Sequence, residues 1–287
     1  MVFWALSFVW YKDAFLSYGP VTIILWRLVV SVGLLFFIIS VFKKSFAIQK
    51  VDRKFIVLIA FFEPFCYFLG EAYGMQYVSP TVGAIIISTI PLLTPLGLFM
   101  LKMNEKLNFA NISGMFLSFL GIIIVLTSDS ASFESSIAGI VLLFIAVISA
   151  IFFSIFLKKI GNKYNSLTIV FWQNVTASVF FLPLFLSLEL NHFLNTEHIP
   201  TAYMAVIKLG VFPSTISFAL FIPVVAKLGA AKANAFANLI PLITAAFSFL
   251  YLGEQFNNFK IAGMIIVIAG LFISQIKFKP KIMEKTA

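Results

Sequence analysis

Charge is what this chain has least of. Only 11% of its 287 residues are Asp, Glu, Lys or Arg, while 61% are hydrophobic. A water-soluble domain has roughly a quarter of its residues charged, so an ordinary soluble fold is excluded. Cysteine is nearly absent: Cys66 stands alone, which rules out an intrachain disulfide and leaves the redox compartment unread. Histidine occurs twice. His192 and His198 lie near Glu189 and Glu197, but their spacing matches no metal motif, and a solvated loop is the expectation. There is no Gly-x4-Gly-Lys-Ser/Thr phosphate loop, no His-Glu-x2-His and no Gly-x-Ser-x-Gly. Nucleotide hydrolysis and these hydrolytic chemistries are therefore not expected, and no cofactor or metal is called for.

What is present is apolar length. The mean hydropathy is +1.06 and 36 residues are Phe, as suits a surface facing lipid. A membrane-spanning helix needs roughly 20 apolar residues. Ten runs approach that length, at about 2–17, 20–42, 55–77, 81–101, 109–128, 136–157, 167–188, 201–225, 230–252 and 259–276. The expectation is an all-α integral membrane protein of ten transmembrane helices. The first run is short and contains Lys12 and Asp13, so either Lys12 snorkels to the headgroups or the natural chain starts upstream. It reads as part of the body, not as a cleaved leader.

The net charge of +9 is distributed as a topology signal and not as a nucleic-acid stripe. Lys43, Lys44, Lys50, Arg53, Lys54, Lys158, Lys159, Lys163, Lys227 and Lys232 fall in gaps on one side, together with Lys102, Lys106 and the basic tail 277–287. The opposite side receives only Lys12 and Lys260. Arg27 and Lys208 fall within runs. The positive side is expected to be cytoplasmic, with both termini inside.

The chain also repeats itself. Ile90-Pro91-Leu92-Leu93-Thr94 returns as Ile240-Pro241-Leu242-Ile243-Thr244, and Glu105 as Glu254. Gly114 returns as Gly263, Gly121 as Gly270, and Thr22 to Arg27 as Thr168 to Gln173. Each copy holds five runs. An odd number makes the second copy enter the membrane from the other face, so the repeats are inverted. Residues 1–128 form the first repeat and 136–276 the second, with 277–287 as a tail. A site between two such halves can be exposed alternately to either side, which points to transport.

At these residues the chain resembles a known family. Tyr77-Val78-Ser79-Pro80-Thr81, Ile90-Pro91, Glu105, Gly114 and Gly121 are similar to the EamA-type repeat of the drug/metabolite transporter superfamily. Leu228-Gly229-Ala230-Ala231 through Pro241, Gly253-Glu254 and Gly263 resemble it more closely. Asn104 departs from the family's usual Gly before the Glu. The resemblance implies ten helices, a central cavity and movement of amino acids, related metabolites or drugs across a membrane. The expected function is a secondary transporter of the inner membrane exporting amino acids or similar small metabolites by alternating access. A facilitator or importer of nucleosides, sugar phosphates or drugs is the alternative, and a non-transporting membrane enzyme or scaffold is the alternative class.

The candidate pathway residues are polar groups inside apolar runs. An acidic group at membrane depth is costly and marks a pathway by default. Glu63, Tyr67 and Glu71 stand four apart on one helical face. Arg27 matches Glu71 in depth. Their pairing is either a structural bridge or part of proton or amine binding. Asn234 and Asn238 stand i, i+4 ahead of Pro241, and Ser88 is the repeat mate of Asn238; cavity lining and interhelical hydrogen bonding are both open. Gln173, the mate of Arg27, adjoins Asn174 and suggests an asymmetric site. Trp4 is either a stacking surface for cargo or a packing anchor. Pro91 and Pro241 are expected to kink their helices. The partners implied are a small-molecule substrate, the bilayer and, if Glu63 or Glu71 titrates, protons.

Overall fold

The structure is a computed structural model that describes residues 1–100, 109–128 and 133–275. Glu105, Lys102, Lys106 and the tail 277–287 lie outside the described residues. Everything described is helix, turn or loop. The helices are α1 (Val2–Ala14), α2 (Pro20–Val41), α3 (Lys50–Tyr77), α4 (Pro80–Met100), α5 (Phe109–Ser128), α6 (Phe133–Ile160), α7 (Ser166–Asn195), α8 (Pro200–Leu228), α9 (Lys232–Leu252) and α10 (Asn258–Ser274). Seven are long and apolar enough to cross a membrane: α2, α3, α4, α6, α7, α8 and α9. The apolar stretches Phe109–Val125 and Asn258–Ser274 are shorter. The 13 residues of α1 make a rod of about 20 Å.

Local sequence sets the ends. Proline opens α2, α4 and α8, where its missing N–H costs nothing. Side chains of Ser79, Asn165 and Asn257 cap α4, α7 and α10 by accepting from Val82, Leu167 and Lys260 backbone N–H groups. The N-terminus of α2 is capped from another helix. The Glu189 carboxylate of α7 accepts from the Val21 and Thr22 backbone N–H groups at 3.1 and 2.7 Å, and from the Thr22 hydroxyl at 2.6 Å. Any side chain at Gly19 would strike that carboxylate. At the other end of the same helix pair, Thr168, the repeat mate of Thr22, donates to the Ser45 carbonyl at 2.7 Å.

Two pairs of breaks inside helices come in mates, while a π-type segment at Phe185–Glu189 in α7 has no counterpart in α2. In α3 a π-type segment spans Phe61–Cys66, and Glu63 leaves helical geometry altogether (φ −146°, ψ 115°). In α8 a π-type segment spans Phe212–Ser217. Each contains a proline, Pro64 and Pro213. In α4 a turn at Ser88 and Thr89 precedes Pro91, and in α9 a 3-10 turn at Phe236–Leu239 precedes Pro241. A proline ring clashes with the carbonyl four residues back and removes a donor, so the winding changes in the turn before it.

Packing follows the same rule. α2 packs on α7, α4 on α9 and α5 on α10, each against its own mate. α1 on α8 is answered by α6 on α3, and α1 on α9 by α6 on α4. Exchanging the two halves therefore leaves the contact pattern unchanged. The α5–α10 crossing shows it at atomic scale. A Cβ on Gly114 would meet the Gly270 carbonyl at 2.5 Å, and one on Gly121 the Gly263 carbonyl at 2.7 Å. The pairing 114 with 270 and 121 with 263 makes the two helices antiparallel and brings their backbones into contact, as small residues permit in membranes.

Candidate functional site

A small cavity of about 50 Å³ opens between the two halves of the chain. Its lining is itself duplicated. Trp4, Ser7 and Phe8 of α1 face it with Ala150, Phe153 and Ser154 of α6, their mates 146 residues on. Ile87 and Ile90 of α4 face it with Ala237 and Ile240 of α9, 150 residues on. The cavity is thus bounded by pairs of residues at the spacing of the sequence repeat. The lining from α6, α8 and α9 comes from near the helix ends that adjoin the basic gaps, so the cavity runs toward that side.

The charges break the symmetry, for they all come from the first half. Arg27, Glu63, Tyr67 and Glu71 line the cavity, as do Trp4 and Asn234. Arg27 is 1% exposed and held through Nε and Nη1. Its Nη1 donates to the Tyr11 hydroxyl at 2.7 Å and stands 3.7 Å from Glu71 Oε2. Its Nε donates to Ser214 Oγ at 2.9 Å, and its guanidinium lies 4.0 Å from the Phe68 ring centre, within cation–π range. Glu71 in turn accepts from the hydroxyls of Tyr11 and Tyr67, both at 3.1 Å. This is a closed network: two helices' worth of phenols wrap one buried ion pair.

Glu63 is different. It is 7% exposed, lines the same cavity and stands at the break in α3, where its backbone is extended. Among the described residues its carboxylate receives no hydrogen bond and no ion pair. The four-residue spacing from Glu63 to Tyr67 therefore does not place the pair on one regular helical face, because the helix is not regular at Glu63. Asn234 donates to Thr94 Oγ1 at 3.1 Å and Ser154 Oγ at 3.3 Å, joining α9 to α4 and α6 at the cavity wall. Trp4 packs edge-on against Phe218 and Phe221, at 5.3 and 5.1 Å between ring centres.

Four candidates do not line the cavity. Gln173 donates to the Glu63 carbonyl at 2.9 Å, and Asn174 donates to Ser31 Oγ at 2.8 Å and to the Ser214 carbonyl at 3.3 Å. Both satisfy backbone at the breaks of α3 and α8, which an uninterrupted helix would satisfy itself. Ser88 donates to the Ile85 carbonyl of its own turn at 2.7 Å. Asn238 lies buried in the 3-10 turn and is not part of the cavity lining that includes Asn234. Among the described residues its Oδ1 is buried without a hydrogen-bond partner, as is Oε1 of Gln173. Sequence reasoning missed Tyr11 and Ser214, which complete the Arg27 network. The match of Pro213 to Pro64 was a signal for the break beside Ser214; nothing local marks Tyr11.

Comparison with known proteins agrees with this architecture. The profile of the EamA-like transporter family matches residues 1–127 and 137–275. The chain belongs to the EamA-like transporter family. An uncharacterized transporter of Bacillus subtilis, YetK, is 27% identical over 90% of this chain and 80% of its own length. An uncharacterized transporter of Archaeoglobus fulgidus is 23% identical over 95% of both chains. A WAT1-related chloroplastic protein of Arabidopsis thaliana is 22% identical over 94% of this chain and 66% of its own. One solved crystal structure superposes with a TM-score of 0.68, covering 96% of this chain and 95% of that one at 11% identity, a likeness of fold alone. This EamA-like protein is thus a multi-pass membrane protein of a transporter family, acting in the bilayer on a small molecule.

Proposed function

We propose that this EamA-like protein is a secondary transporter that exports amino acids or related small metabolites by alternating access. Two inverted five-helix repeats, 1–128 and 136–276, form its halves, with 277–287 as a cytoplasmic tail. The exchange of helix contacts between halves and the antiparallel α5–α10 crossing support the inversion. The basic loops support a cytoplasmic face in an inner membrane, with both termini inside. A cavity reaching toward that face would load from the cytoplasm, which favours export.

The observation that carries the reading is the contrast between two carboxylates in one cavity. Glu71 is held by Arg27, Tyr11 and Tyr67 and serves as a fixed part of the wall. Glu63 has a free carboxylate and is assigned the exchange role: it takes either a proton or the ammonium of the cargo. An unpaired carboxylate in a low-dielectric site must be neutralised by one or the other, so the two compete and the movements become coupled. Trp4, Phe153 and Phe221 give the cargo's apolar part a surface, and Asn234 and Ser154 give it polar contacts. Pro91 and Pro241, each beside a change of winding, are the hinge candidates.

The test is flux of a labelled panel of amino acids, nucleosides and cationic drugs through proteoliposomes, with and without a pH gradient. Gradient-driven accumulation of an amino-bearing compound supports the reading. Equilibration that ignores the gradient would make the protein a facilitator.

A further inference from the structure

Away from the basic end, the bundle is tied shut by a set of charged contacts. Lys12 of α1 donates to the Met75 and Val78 carbonyls at 2.6 and 2.9 Å. These are the unsatisfied carbonyls at the C-terminal end of α3, where a cation is favoured. Beside them, Glu254 at the α9–α10 junction accepts from Lys260 at 2.8 Å and from Thr81 of α4 at 2.7 Å. Four elements that surround the cavity thus converge on one closure.

The repeat supplies a counterpart for each member at the basic end. The mate of Lys12, 146 residues on, is Lys158 of α6, in the stretch whose Ala150, Phe153 and Ser154 pair with Trp4, Ser7 and Phe8 around the cavity. The mates of Met75 and Val78, 150 residues on, are Val225 and Leu228, at the end of α8. Lys158 Nζ already stands 4.0 Å from the point where a side chain on Gly229 would begin, just past that helix end. It makes no hydrogen bond there among the described residues, and it is exposed. The same device is therefore engaged at one end and disengaged at the other.

We propose that Lys12 and Lys158 are reciprocal latches: Lys12 holds α1 to the end of α3 when the cavity faces the basic side, and Lys158 holds α6 to the end of α8 when it faces the other. The inference rests on the alternating-access reading above. The two latches are unequal. Thr81 is matched by Ala231 and Lys260 by Asn111, so the basic-end closure lacks the hydroxyl and the ammonium that flank Glu254. Asn111 instead donates to the Ser274 carbonyl at 2.7 Å. The resting protein accordingly favours the form seen here, and cargo or proton binding must overcome that bias to turn it.

Paired spin labels in lipid test this, in a Cys66→Ser background. One pair, at Leu16 and Tyr77, reads the Lys12 closure; the other, at Lys159 and Leu228, reads the Lys158 closure. In the parent protein both pairs should show two distances, with the Lys12 end mostly closed. Lys12→Met should raise the population open at that end roughly tenfold, as loss of a charge-assisted contact implies. Lys158→Met should lower it, and the double variant should return toward the parent ratio. Lys12→Arg controls for folding by keeping the charge. Shifts in the same direction for both variants, or no shift with Lys158→Met, would overturn the proposal. A parent protein with one distance per pair under every condition, cargo included, would instead reject alternating access itself.

Discussion

Arg27 and Glu71 are buried together in a medium that penalises either alone. Removing one partner of such a pair leaves an uncompensated charge and costs about 3–5 kcal/mol. Arg27→Ala should therefore lower the yield and melting temperature of folded protein in detergent, and Glu71→Gln should do so less, since the amide still accepts from Tyr11 and Tyr67. Glu63→Gln should leave melting close to the parent value, because no hydrogen bond is lost, while abolishing the response of transport to a pH gradient. Melting curves beside flux separate these roles. Glu254 gives a pH dependence outside the membrane. Burial alone would raise its carboxyl, but the hydrogen bonds from Lys260 and Thr81 and the Lys260 charge outweigh that and hold it below the usual carboxylate range. A lowered folded value means its stabilisation is complete above the ordinary carboxylate value and fades as pH falls through the lowered one. Lys12, Lys260, Thr81 and Ser79 face it. Acid should thus loosen this closure, and Glu254→Gln should remove the acid dependence, as read by limited proteolysis or label distances across pH.

At the scale of elements, the helices were largely legible, as were the prolines beside the changes of winding in α4 and α9, while the breaks in α3 and α8 were not. Apolar length alone located the seven spans α2, α3, α4, α6, α7, α8 and α9, because lipid demands a fixed span and leaves the backbone no other partner. The Gly114–Gly270 and Gly121–Gly263 contacts were foreshadowed by repeat-matched glycines, though which glycine meets which depends on the antiparallel crossing. Replacing Gly121 with Leu would drive a side chain into the Gly263 carbonyl and Val267. Overpacking of this kind costs about 1–3 kcal/mol, and the variant should lose that stability while Gly33→Leu, in open space, should not. The breaks at Phe61–Cys66 and Phe212–Ser217 escaped a reading by period, since Glu63, Tyr67 and Glu71 keep perfect helical spacing in sequence. Asn234 and Asn238 keep the same helical spacing in sequence, yet only Asn234 lines the cavity while Asn238 sits in the 3-10 turn. Tyr11 escaped because its bond to Glu71 joins residues 60 apart, and no local pattern reports a contact between helices.

For the whole molecule, the repeat explains more than any single residue. It makes the cavity wall from matched pairs, repeats prolines and glycines at matched positions along the chain and gives Lys12 a counterpart in Lys158. Function then depends on where the copies differ. Arg27 is replaced by Gln173 in the second copy and Thr81 by Ala231, and among the described residues every charged side chain lining the cavity belongs to the first half. Those differences were present in the sequence, but their meaning depends on which residues the fold turns toward the cavity. The most direct measurement is cargo accumulation in proteoliposomes under an inward-acid pH gradient, for the parent protein and Glu63→Gln at equal reconstitution. The account predicts that the parent accumulates cargo against its own gradient and that Glu63→Gln only equilibrates it. Gradient-driven accumulation that survives Glu63→Gln would contradict the role given to this carboxylate.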